Sequence, residues 1–216
     1  MVLQRKKVAF LGDSITEGVG ASDKAHRYTD VFQAITGCEI FVDGISGSRM
    51  ALQHNEDMEI PHNKYFSSRV PALPSELDYI VVFGGTNDFG HGNAPFGTLT
   101  DQTVDTFCGA LRVLCEALLK KYPYATIVFM TPLHRLSENT LVNEIGLPRK
   151  PLIDYVNAIR TICEEYALPV LDLYKISGMQ PSVDVIREIY MPDGLHPSNA
   201  GAEKIANLLK QFILSL

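Results

Sequence analysis

A serine lies at the corner where an apolar run ends. Val8-Ala9-Phe10-Leu11 leads straight into Gly12-Asp13-Ser14-Ile15-Thr16-Glu17-Gly18. Near the other end of the chain, Asp193-Gly194-Leu195-His196 places an acid three residues before a histidine. A serine hydroxyl is a weak nucleophile until a neighbouring base takes its proton, and an acid can fix that base in the right tautomer. Serine, then acid, then histidine supply the parts of such a triad, and the chemistry they point to is acyl transfer. Each part also has an ordinary reading. A serine beside glycine is usually a turn or cap residue, and Asp193 with His196 could be a surface acid near a helix-capping histidine.

Asp88-Phe89-Gly90-His91 repeats the acid–histidine spacing. By spacing the two pairs are equal. Pro197 and Ser198 favour the later pair, because they set the entry to the last helix and so anchor His196. Asp88 follows a strand directly and suits a bracing role there. His26, His54, His62 and His134 show no partner at short range and read as surface or loop residues, with His134 also a candidate to line a pocket.

A tetrahedral intermediate needs donors for its oxyanion, and losing one typically costs roughly 10²–10³ in rate. Two corners after strands offer them: Asp43-Gly44-Ile45-Ser46-Gly47-Ser48 and Gly84-Gly85-Thr86-Asn87-Asp88. Asn87 brings a side-chain N–H to the rim, or simply caps the turn. The chain has no G-x-S-x-G elbow, no G-x-G-x-x-G fingerprint and no G-x-x-x-x-G-K-[ST] loop. The ordinary α/β-hydrolase elbow and the usual nucleotide-binding readings are therefore unsupported.

The elements that must position these residues are legible as alternating runs. Val8–Leu11, Glu39–Val42, Tyr79–Phe83, Thr126–Met130 and Pro169–Leu173 are short and continuously apolar, as buried strands of a sheet covered on both faces are. Between them, apolar residues recur at helical spacing. One set is Tyr28, Val31, Phe32 and Ile35; a second runs from Val104 through Phe107, Leu111 and Leu114 to Leu118. A third, Val156, Ile159, Ile162, Cys163 and Tyr166, belongs to a helix that Pro151 can open. The last helix starts near Ser198, its expected N-cap. This repetition predicts an α/β fold with a central parallel sheet of about five strands and helices on both sides. Sites in such sheets lie at the carboxyl ends of the strands, so Ser14, the Gly84–Asn87 turn and Thr131-Pro132 should share one rim. Two stretches break the rhythm, 44–76 and 131–150. The second is a lid-like loop carrying Leu133, His134, Leu136, Leu141, Ile145 and Leu147.

The chain has 216 residues, 46% of them hydrophobic, and a net charge of −6. That length suits one domain with a real core, and no repeat or linker divides it. The acidic balance argues against a nucleic-acid partner. No stretch approaches the roughly 20 apolar residues of a membrane span, and Arg5-Lys6-Lys7 is not followed by a signal-peptide pattern, so a cytoplasmic location is expected. Cys38, Cys108, Cys115 and Cys163 lack metal-ligand spacing and read as small core residues.

Four blocks in order resemble the SGNH hydrolase superfamily, also called GDSL-like lipases, acylhydrolases and esterases. They are Gly12-Asp13-Ser14 (with Ile15 where the pattern has leucine), Gly44-Ile45-Ser46-Gly47, Gly85-Thr86-Asn87-Asp88 and Asp193-Gly194-Leu195-His196-Pro197. The resemblance implies a flavodoxin-like three-layer α/β/α sandwich over residues 1–216. It implies Ser14 as nucleophile, His196 as base and then acid, and Asp193 as the residue that orients His196. The N–H groups of Ser14 and Gly47 and the amide of Asn87 would form the oxyanion hole. It decides against His91 and implies neither metal nor organic cofactor.

The expected substrate is a small-molecule ester, first of all a small acyl or O-acetyl group on a sugar or other polar alcohol. An acyltransferase using the same triad, a lysophospholipase or thioesterase, and an idle binding module are the alternatives. Arg49, Phe89, His91, His134 and Leu195 are candidates for the pocket wall, with ordinary loop packing as an equal alternative. Oligomeric state is not readable.

Overall fold

A computed structural model describes residues 3–53 and 64–216; His54, Pro61 and His62 lie outside them. The strands are β1 (Lys7–Gly12), β2 (Glu39–Gly44), β3 (Tyr79–Phe83), β4 (Thr126–Met130) and β5 (Val170–Leu171). All pair in parallel, in the order β2-β1-β3-β4-β5. The chain winds outward from β1 in both directions, so the topological switch point lies between β1 and β3, where such sheets open a crevice for ligands. Gly12 registers with Gly44 on one side and Phe83 on the other, and Phe83 with Met130. The strands therefore end along one rim, and Ser14 stands just past the end of β1.

In chain order the helices are α1 (Ser14–Glu17), α2 (Tyr28–Thr36), α3 (Phe66–Arg69), α4 (Thr86–His91), α5 (Phe107–Lys121), α6 (Leu152–Glu165), α7 (Leu173–Ile176), α8 (Asp184–Tyr190) and α9 (Asn199–Ser215). Side chains alternate along a strand, so each strand feeds two cores. Val8, Phe10, Val81, Phe83, Val128 and Met130 pack with Tyr28 and Phe32 of α2 and Ile205 and Leu209 of α9. Leu11, Ile80, Val82, Ile127 and Phe129 pack on the opposite side with α3, α5 and α6. Both faces are covered, which is why the strands read as unbroken apolar runs. Phe10 meets Tyr28 and Phe32 edge-on at 5.6 and 5.7 Å, contacts worth about 0.5–1.5 kcal/mol each beyond the area they bury. The buried Tyr28 hydroxyl lies 3.0 Å from Thr16 Oγ1, so this core also ties down the helix that carries Ser14.

Three expectations need correction. β2 is an edge strand rather than a buried one; Phe41 is 39% exposed because, among the described residues, no strand pairs with its outer side. β5 stops at Leu171 instead of reaching Leu173, because the Asp172 carboxylate accepts the Lys175 N–H at 3.2 Å and caps α7. Val104 precedes α5, since Thr106 Oγ1 accepts the Gly109 N–H and starts the helix at Phe107. Pro151 precedes α6 and Ser198 caps α9, as read from the sequence. All four cysteines are buried free thiols.

Candidate active site

The site begins with a close approach at the end of β1. A side chain on Gly12 would collide with Thr16, so α1 can fold back against the strand only over glycine. Asp13 Oδ1 then accepts the Ile15 N–H at 3.0 Å and caps α1, which leaves Ser14 as its first residue, 7% exposed. Burial pushes the Asp13 carboxyl up to about 7, against the opposing pull of the Ile15 N–H and Arg69. Arg69 itself is buried beneath the corner. It stacks on Phe66 and donates to Gly12 O at 3.0 Å, tying β1 to α3; its sequence context gives no sign of this.

Ser14 Oγ lies 3.0 Å from His196 Nε2, and His196 Nδ1 lies 2.6 Å from Asp193 Oδ2. The other carboxylate oxygen, Oδ1, accepts the N–H groups of Leu195 and His196 at 2.9 and 2.7 Å. One acid thus holds both the imidazole ring and the turn that carries it. Burial raises the Asp193 carboxyl, but the ring, His196 N–H and Leu195 N–H bonds together hold it below the usual carboxylate range. With Nδ1–H donated to a carboxylate, Nε2 presents its lone pair to the serine hydroxyl. Gly194 adopts φ +79°, and a side chain there would run into Leu136. Beyond His196, the Ser198 N–H donates to Tyr190 O at 2.8 Å and Ser198 Oγ accepts the Gly201 N–H at 3.3 Å, so α9 fixes the exit from the turn.

The two glycine-rich corners meet. Residues 45–48 form a turn closed by Ser48 N–H to Ile45 O at 3.1 Å, and Asn87 Nδ2 donates to Ser48 O at 3.1 Å. A primary amide has two N–H groups, so Asn87 keeps one beyond this contact. Asp88 accepts the N–H groups of Met50 and Ala51 at 2.9 and 3.0 Å, bracing the stretch after Gly47. Burial lifts the Asp88 carboxyl to about 6 against those bonds and the charge of Arg49. The Asp88–His91 pair is therefore divided: Asp88 points into the protein, while His91 Nδ1 faces Glu144 at 4.0 Å.

Two histidines do have short-range partners, contrary to the sequence reading. His26 Nδ1 lies 2.8 Å from Asp23, three residues back in a 3-10 turn. His134 Nδ1 lies 2.9 Å from Glu138, and its ring stacks on Tyr174. Among the pocket-wall candidates, Phe89 is fully buried under the Arg149 guanidinium. Arg49 is also buried and donates to His91 O. Leu195 joins Asp193, Arg135, Thr140 and Asn143 around a cavity of about 430 Å³. Among the described residues, no helix is long and apolar enough to cross a membrane.

A five-stranded parallel sheet of this order, flanked by helices, has the fold of a putative GDSL-like lipase structure from Bacteroides ovatus. The chain belongs to the GDSL-like lipase/acylhydrolase family, whose model matches residues 10–204. It is similar to an acetylxylan esterase from Xylanibacter ruminicola, 25% identical over 96% of this chain, although the chain spans only 43% of that protein's length. A crystal structure of a protein from Lactobacillus plantarum superposes with a TM-score of 0.83 at 32% identity, covering 99% of this chain and 98% of the other. An acetyl xylan esterase structure shares the fold at a TM-score of 0.63 and 20% identity, covering 95% and 98%.

Proposed function

We propose that residues 1–216 act as a single serine esterase domain that hydrolyses carboxylic esters through an acyl-enzyme. The observation that carries this reading is the continuous relay from Ser14 Oγ through His196 to Asp193, at 3.0 and 2.6 Å. His196 Nε2 takes the Ser14 proton as Oγ attacks the ester carbonyl carbon. Charge on the carbonyl oxygen is met by the N–H groups of Ser14 and Gly47 and the free N–H of Asn87. His196 then protonates the departing alcohol. A water molecule repeats the sequence, giving its proton to His196 and breaking the bond to Ser14, and the acid leaves. Asp193 stays ionised throughout and stabilises the imidazolium.

For substrate, the reading is a small acyl group, O-acetyl first, on a sugar or other polar alcohol. The similarity to an acetylxylan esterase supports this. The test is labelling with a fluorophosphonate, followed by assay on p-nitrophenyl acetate and acetylated sugars. The parent should label and turn over, and folded Ser14→Ala should do neither. A Ser14→Ala protein that hydrolyses p-nitrophenyl acetate at the parent rate would remove Ser14 as nucleophile.

A further inference from the structure

The segment after β4 looks in sequence like a lid, yet in the structure it is bonded to both halves of the site. Leu136 N–H donates to Gly194 O at 3.0 Å, within the turn that carries Asp193 and His196. The preceding residue, Arg135, reaches the other way. Its Nη1 donates to Thr86 O at 3.1 Å and lies 3.2 Å from Thr86 Oγ1, at the first residue of α4 and directly before Asn87. Its Nη2 donates to Glu144 at 2.7 Å, and Glu144 N–H in turn donates to Gly90 O at 2.9 Å on the same helix. The guanidinium is buried, lies 5.3 Å over the Phe89 ring, and is within electrostatic reach of both Asp13 and Asp193. Two adjacent residues thus span the gap between the element that presents Asn87 and the turn that presents the base and its acid.

We infer that Arg135 is a positioning residue for the reaction: with Leu136 it sets the distance between the oxyanion donor Asn87 and the His196–Asp193 pair. This rests on the esterase reading given above. A planar fork suits the task, because one guanidinium can satisfy the Thr86 acceptors and the Glu144 carboxylate at once, whereas an ammonium on a flexible stem cannot hold that geometry. Arg135 holds the backbone directly before Asn87 and makes no hydrogen bond to Ser14, so the effect falls on kcat. A misplacement of about 1 Å at a catalytic group can cost on the order of 10² in rate.

The experiment is steady-state kinetics of Arg135→Ala on p-nitrophenyl acetate, with and without added guanidinium ion. The variant should lose about 10²-fold in kcat with KM little changed, and guanidinium, entering the vacated space, should restore part of the loss. A general loss of packing would not be repaired by a free ion that is itself a denaturant. Parent kcat in the folded variant, a change confined to KM, or a loss that guanidinium leaves unrepaired would each overturn the inference. If Arg135→Ala does not fold, Arg135→Lys carries the test. It keeps the charge and loses the fork, so a kcat equal to the parent's overturns the assignment. Fluorophosphonate labelling of the parent separates the two levels. A folded parent that does not label overturns the esterase reading and this inference with it, whereas a parent that labels beside a fully active Arg135→Ala overturns this inference alone.

Discussion

Asn87 has one amide N–H held by Ser48 O, which leaves the other aimed by that bond rather than by solvent. A donor oriented in advance acts on charge that develops during reaction, so its loss should appear in kcat. Asn87→Ala should lower kcat about 10²–10³-fold on p-nitrophenyl acetate while KM moves little; a change in KM alone would take Asn87 out of the oxyanion role. Residue-level geometry also separates two Asp-x-x-His pairs that each lie beside a serine. Asp23 and His26 have the spacing of Asp193 and His196, and Ser22 is nearby, but Ser22 Oγ and Asp23 Oδ1 both approach Nδ1, at 3.3 and 2.8 Å. There the serine and the acid share one ring nitrogen. At His196 the serine and the acid take opposite nitrogens.

At the scale of elements, α4 is the hub. Its Asn87 contacts the 45–48 turn, its Asp88 holds the backbone of Met50 and Ala51, and Arg135 and Glu144 grip its two ends. Asp88→Ala would leave two buried N–H groups without acceptors. At about 1–3 kcal/mol for each unmet group, partly offset by relief of a costly buried charge, the variant should lose about 2–3 kcal/mol. Urea unfolding measures this, and a midpoint equal to the parent's would show that the brace contributes nothing. The bracing role of Asp88 was legible, because an acid directly after a strand-end glycine turn has backbone donors within reach. The partners were not, since Met50 and Ala51 are some forty residues away and only the fold brings them near. The 131–150 stretch misleads in sequence for the same reason. Its hydrogen bonds go to Gly194, Gly90 and Gly92, none of which its local pattern announces.

Across the whole molecule, two buried carboxyls contribute to the pH dependence of stability in the same direction. Asp13 and Asp88 are raised by burial from 3.8 to about 7 and about 6. Between those limits the folded protein holds protons that the unfolded chain has released. Stability therefore falls as pH rises through this window, and the contribution is gone above about pH 7. Carboxylates held low, such as Asp193 and Asp78, lose their contribution only as pH falls below the ordinary carboxylate range, so the two effects occupy different windows. The unfolding free energy from urea curves should be higher at pH 5 than at pH 7.5, by an amount on the order of a few kcal/mol at most. Asp13→Asn should shrink that difference; an unchanged difference would mean that Asp13 is already ionised in the folded protein at pH 5.

Sequence by itself determined the parallel α/β architecture, because continuous apolar runs alternating with helical periodicity can be buried in few other ways. Residue type and glycine-marked corners also made Ser14, Asp193, His196 and Asn87 candidates, while Gly47 was named only by the resemblance of the 44–47 block to a family. Only the tertiary structure decided which Asp-x-x-His pair faces a serine through opposite ring nitrogens, since spacing is blind to direction. It alone revealed Arg69 under the serine corner and Arg135 between the two halves of the site. Both act through backbone carbonyls remote in the chain, and every residue carries a carbonyl, so no pattern of side chains could have marked those partners.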